Sequence, residues 1–118
     1  MLDGLLKLLP AELASLIRAL PASVLERLEE IRIRQDRPLE IVHAEGFAFV
    51  TAAGTVAADP AAGFRPNAEL CARLLERITN HSLYAMEEEL RRGYVTVPGG
   101  HRIGLAGRTV LEGGSVRG

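Results

Sequence analysis

Apolar positions recur along this chain with two different spacings. In "LPAELASLIRAL", Leu13, Leu16, Ile17 and Leu20 keep the three-to-four residue interval of a single helical face. Pro10 falls near the first turn, where a missing N–H costs no hydrogen bond. Pro21 interrupts the pattern, and "PASVLERLEE" continues it for one or two turns. In "EEIRIRQ" the period drops to two. Ile31 and Ile33 then share one side and Arg32 and Arg34 the other, as in a strand with one buried face. "RPLEIVHAEGFAFVTAAG" keeps that period, with Leu39 and Ile41 on one face, a turn near Ala44 to Gly46, and Phe47 and Phe49 paired by parity. These segments predict an antiparallel meander. Residues 54–66, rich in Ala, Gly and Pro, predict a loop with one short strand.

The helical period returns after Asn67, a good N-cap with Glu69 in the first turn to complement the helix dipole. Cys71, Leu74, Leu75 and Ile78 predict a helix that packs one face on the sheet and ends near Asn80. Ser82 can cap a second helix, "LYAMEEELRR", with Leu83, Met86 and Leu90 inward and Gly93 as its left-handed stop. The remainder, "GYVTVPGGHRIGLAGRTVLEGGSVRG", reads as strand, turn at Pro98 to Gly100, a strand over 101–111 with a bulge at Gly107, and a turn at Gly113-Gly114. The predicted class is α+β. It is a two-layer domain of short N-terminal helices, an antiparallel β meander, two packed helices over residues 67–92 covering one face of an antiparallel sheet, and a C-terminal β-hairpin.

The glycines of residues 93–108 raise the alternative of a phosphate cradle. A P-loop needs a Lys for the phosphates and a Ser or Thr for Mg²⁺, but the single lysine, Lys7, lies in the first helix. A dinucleotide loop must open a helix, whereas 101–111 reads as extended. Strands are therefore preferred. At 118 residues the chain is read as one domain, residues 1–118, whose core must come from Leu, Ile, Val and Ala, because it has three Phe, two Tyr and no Trp. A net charge of −1 gives no global attraction to nucleic acid or anionic membrane. Cys71 stands alone, so no internal disulfide is possible. The N-terminus has no basic signal region, and the longest apolar window, 41–58, is broken by His43, Glu45, Gly46 and Gly54. A cytoplasmic location is expected.

Candidate chemistry is sparse. Glu87, Glu88 and Glu89 could ligate a metal, but Glu87 faces Arg91 and Glu88 faces Arg92 at i, i+4, which favours a salt-bridged helix face. Glu29 and Glu30 are adjacent strand residues on opposite faces, which argues against an acid/base pair. His43, His81 and His101 lack ligand spacing for zinc, and Cys71 reads as a small core residue. No catalytic residue and no metal site is expected. Arg102 and Arg108 share a parity opposite to Ile103 and Leu105, which places them on the solvent face of the last hairpin.

"LEEIRIRQDRPLEI" and "ITNHSLYAMEEELRRGYVTVPGGHRIGLAGRTVLEGGSVRG" resemble the N-terminal domain of the stage III sporulation protein AA family of endospore-forming bacteria. That family is similar to the hexameric ATPases of type II and type IV secretion systems, which pair an N-terminal α/β domain with a C-terminal RecA-like motor. The resemblance implies a cytoplasmic motor on the mother-cell side of the channel linking mother cell and forespore. It implies that this chain is a non-catalytic assembly and regulatory domain of a longer ATP hydrolase, with the motor domain outside it. The chain stops at Ser-Val-Arg-Gly, where a further strand would begin, so a longer protein is expected on that ground too.

The same resemblance implies partners: the protein's own C-terminal motor domain, neighbouring subunits of a homo-oligomeric ring, and the channel's membrane proteins, with no nucleic acid. No cofactor is expected in this chain, and ATP and Mg are expected in the full-length protein. Arg102 and Arg108 are the candidate contacts to nucleotide phosphates held by the motor, a task suited to the rigid, permanently charged guanidinium. Two other classes stay open. One is a nucleic-acid-binding module using Arg32, Arg34, Arg91, Arg92, Arg102 and Arg108, and the other is a small-ligand sensor built around an apolar cavity.

Overall fold

The computed structural model describes residues 2–81, 87–97 and 100–105. The chain opens with three short helices, α1 (Asp3–Leu8), α2 (Ala11–Arg18) and α3 (Ala22–Arg27). The two prolines set these boundaries. Pro10 and Pro21 occupy the N-cap positions of α2 and α3 with extended ψ values of 155° and 147°, because a proline bars the residue before it from helical geometry yet suits a helix start.

Strands β1 (Leu28–Ile33), β2 (Glu40–His43), β3 (Gly46–Val50) and β4 (Val56–Ala57) follow, then a 3₁₀ turn at Pro60–Ala62, helix α4 (Ala68–His81), helix α5 (Glu87–Arg92), and strands β5 (Tyr94–Thr96) and β6 (Arg102–Leu105). The expected meander is present, with β1–β2, β2–β3 and β3–β4 all antiparallel. The loop over 54–66 contains the one short strand expected of it.

The sheet as a whole is mixed, which corrects the expectation of an antiparallel one. Its order is β4-β3-β2-β1-β6-β5, and β6 runs parallel to β1. Parallel neighbours need a long crossover between them. Here that crossover holds the rest of the meander, α4, α5 and β5. It returns the C-terminal hairpin, itself antiparallel, to the free edge of β1.

The core lies on one face of this sheet. Ile31, Ile33, Ile41, Ala48, Val50, Val95 and Ile103 pack with Leu5, Leu8, Leu13 and Ile17 of α1 and α2, and with Leu70, Leu74 and Ile78 of α4. Among the described side chains the helical layer is thus built by α1, α2 and α4, with Cys71 and Leu75 packed partly buried at its side. Asn67 caps α4 through Oδ1, which accepts from the Leu70 N–H at 2.8 Å. Gly93 ends α5 at φ +93°, its N–H donating to Glu89 O at 3.1 Å. Both punctuation residues act as expected. Ser82, Leu83, Met86, Gly107 and the Gly113-Gly114 turn lie outside the described residues.

Candidate functional site

Among the described residues, the second face of the sheet carries no helix of the core layer and is termed the open face. Strand register lays two rows of side chains across it. One row runs Ala57, Phe49, Glu40, Arg32, Gly104, Tyr94. The other runs Phe47, Val42, Glu30, Arg102, Thr96. Strand alternation explains why these residues share a face. Only the pairing of β6 with β1 explains why Arg102 meets Glu30.

Four contacts join the charged members. Arg102 Nη2 donates to Glu30 Oε1 at 3.3 Å, and Arg32 Nε donates to Glu30 Oε2 at 3.3 Å. Arg32 Nη1 reaches Glu40 Oε2 at 3.5 Å, and Arg34 Nη2 donates to Glu40 Oε1 at 3.0 Å. The carboxylates lie beneath the guanidiniums: the Glu30 and Glu40 side chains are 12% and 9% exposed, against 43% for Arg102. Among the described residues this cluster sets three cations against two covered anions, a surplus of positive charge. Arg34 Nε is buried without a partner. Beside the charges, Phe47 is 63% exposed and meets Phe49 edge-on, with ring centroids 5.9 Å apart.

Arg102 therefore lies on the face opposite to Ile103, as its parity predicts, but tied to a carboxylate rather than free at a solvated edge. Arg108 lies outside the described residues. Of the six arginines considered for nucleic acid, Arg32, Arg34 and Arg102 are brought together, while Arg91 and Arg92 lie on α5. Glu30 and Glu40 were not among the expected site residues. Their signal was present in the strand parity, since both share a face with Arg32.

Other candidates lie apart from this cluster. Among the described residues no group of His, Cys, Asp and Glu is placed to hold a metal ion. His101 is buried with Nδ1 unpartnered, and its burial pushes the imidazole below its ordinary pKa. Burial pushes the Cys71 thiol up, with Asp36 adding in the same direction, so the thiolate is disfavoured. A groove of about 360 Å³ runs between α2 and the start of α4, past Leu16, Phe64, Arg65 and Asn67. The Glu12–Arg73 ion pair borders it, Arg73 Nη2 donating to Glu12 Oε2 at 2.6 Å. It is an open polar-edged groove, unlike the apolar cavity a sensor would need.

A family described as "Sporulation stage III, protein AA" matches residues 3–118 of the chain. The chain belongs to this family. It is 36% identical over 117 residues to the stage III sporulation protein AA of Bacillus subtilis (strain 168), an alignment covering 99% of this chain. The chain spans about a third of that relative, 34% of its length. No solved structure gives a significant match. Among the described residues, no helix is long and apolar enough to cross a membrane.

Proposed function

We propose that this chain is the non-catalytic N-terminal assembly and regulatory domain of a secretion-type ATPase of sporulation, one that energises the channel between mother cell and forespore. Membership of the sporulation family supports the process. The threefold greater length of the curated relative supports a motor lying elsewhere in the full-length protein. The absence of a GxxxxGK(S/T) motif, with the only lysine, Lys7, in α1, supports a chain that leaves Mg-ATP to the motor. Its part is to contact a nucleotide that the motor holds, on the cytoplasmic mother-cell side, within a homo-oligomeric ring that docks on channel membrane proteins.

The observation that carries this reading is the placement of Arg102. It is half exposed on the open face and has one donor engaged, so the remaining N–H groups of its fork are available to a phosphate. A cation that meets charge developing in the transition state lowers turnover when removed more than it lowers affinity. In the full-length protein, Arg102→Ala is expected to reduce kcat roughly tenfold or more while nucleotide affinity changes less. Arg102→Lys should also be impaired, because it keeps the charge but loses the fork. Steady-state ATPase assays, with Arg108→Ala in parallel, decide the matter. Wild-type turnover in all three variants leaves the hairpin a structural role only.

A further inference from the structure

Among the charged groups of the open face, one carboxylate has a seat built for it. Glu30 stands directly opposite Arg102 in the parallel β1–β6 register, two residues before Arg32 on the same strand face. Its two oxygens each hold a different guanidinium, Arg102 on Oε1 and Arg32 on Oε2. The room for that carboxylate comes from Gly104. A Cβ at position 104 would collide with Glu30 Oε2 and press on Arg32 Cγ at 3.2 Å. Gly104 is not in the left-handed region, so its backbone conformation does not call for glycine. What a side chain there would displace is the free end of the Glu30 carboxylate, lying across the strand.

We infer that Glu30 is the positioning residue for the arginine pair Arg32 and Arg102, holding both guanidiniums side by side and aiming Arg102 at the anionic phosphate it serves. This inference rests on the phosphate reading of Arg102. The form of the contact argues for aiming rather than sequestering. A sequestered arginine typically meets its carboxylate fork to fork, through two parallel N–H···O bonds. Here a single Nη2 donor is used at 3.3 Å, and the side chain stays 43% exposed. A tether at one edge removes rotamer freedom in advance while leaving the other donors for a ligand. An untethered arginine must lose that freedom when the anion arrives. Glu30 is fixed in turn by its second arginine and by the notch at Gly104.

The test uses the full-length protein and four variants: Glu30→Gln, Gly104→Ala, Arg102→Ala and the double variant Glu30→Gln/Arg102→Ala. Turnover, Mg-ATP dissociation constant and melting temperature are measured for each. Glu30→Gln is expected to lower kcat about three- to tenfold with the dissociation constant within about twofold, because orientation is lost and binding by the motor is not. The double variant is expected to be no slower than Arg102→Ala alone, since Glu30 acts only through the arginine. Wild-type kcat in Glu30→Gln beside an impaired Arg102→Ala overturns the inference and leaves the phosphate reading standing. Additive losses in the double variant do the same. Wild-type kcat in Arg102→Ala overturns both. Should Glu30→Gln fail to fold, Gly104→Ala takes its place with the same expected and overturning results, because it keeps every charge and displaces the Glu30 carboxylate.

Discussion

Ile31 and Ile103 lie opposite one another in parallel register, both fully buried, at the joint where the C-terminal hairpin meets the N-terminal meander. The 68 residues from 34 to 101 separate strands that form one continuous core face. The hairpin is attached to the rest of the domain through this pair and its neighbours. The open face inherits its geometry from the same pairing, because Glu30 and Arg102 are the adjacent rung.

Replacing Ile103 by Ala is therefore expected to destabilise the chain by about 2–5 kcal/mol, the cost of lost burial plus a cavity that the sheet cannot close. Phe47→Ala is the control. Phe47 is on the open face and mostly exposed, so only its edge contact with Phe49 is lost, and about 1 kcal/mol or less is expected. Urea denaturation followed by circular dichroism separates the two. Equal losses would show that the hairpin does not share the core with the meander.

A second expectation concerns acid. Burial holds the folded-state pKa of His101 below its unfolded value, so the neutral form is the one the fold favours. The stability this represents is fully present above the ordinary histidine range. It is lost as the pH falls through that range toward the depressed folded value, and it levels off below it. The wild-type chain should lose stability over this window, and His101→Gln should lose less. Denaturation midpoints across that range check it, and parallel pH profiles for the two proteins would remove His101 as the cause.

The third expectation is that this chain alone neither hydrolyses nor tightly binds Mg-ATP. Phosphoryl transfer depends on positioned phosphates and metal. The sequence has no P-loop lysine followed by a Ser or Thr to place either one. Calorimetric titration of the 118-residue chain with Mg-ATP should show no micromolar binding. A micromolar constant would move the nucleotide site into this chain and undo the division of labour proposed above.

Much of this architecture is local and so could be read from the order of residues. The apolar stripes of α2 and α4 follow the helical repeat. Asn67 and Gly93 satisfy helix ends through nearest-neighbour chemistry, and the alternation of Ile31, Arg32, Ile33 assigns each side chain to a face. Such features depend on residues within a few positions of one another. Strand neighbours do not. Parity places Arg102 on the face opposite to Ile103, but it is equally compatible with β6 pairing to any exposed strand edge, in either direction.

Only the closing of the crossover chose β1 and the parallel sense. The choice was made by burial, since it puts Ile103 against Ile31 and continues one apolar face across the sheet. With that choice came what local pattern could not contain: Glu30 beneath Arg102, Glu40 shared by Arg32 and Arg34, and Gly104 as the notch that admits a carboxylate. Sequence by itself determined which residues face solvent and which face the core. Tertiary structure decided which of them touch, because contacts between distant strands are set by the packing of the whole core and by no single stretch of chain.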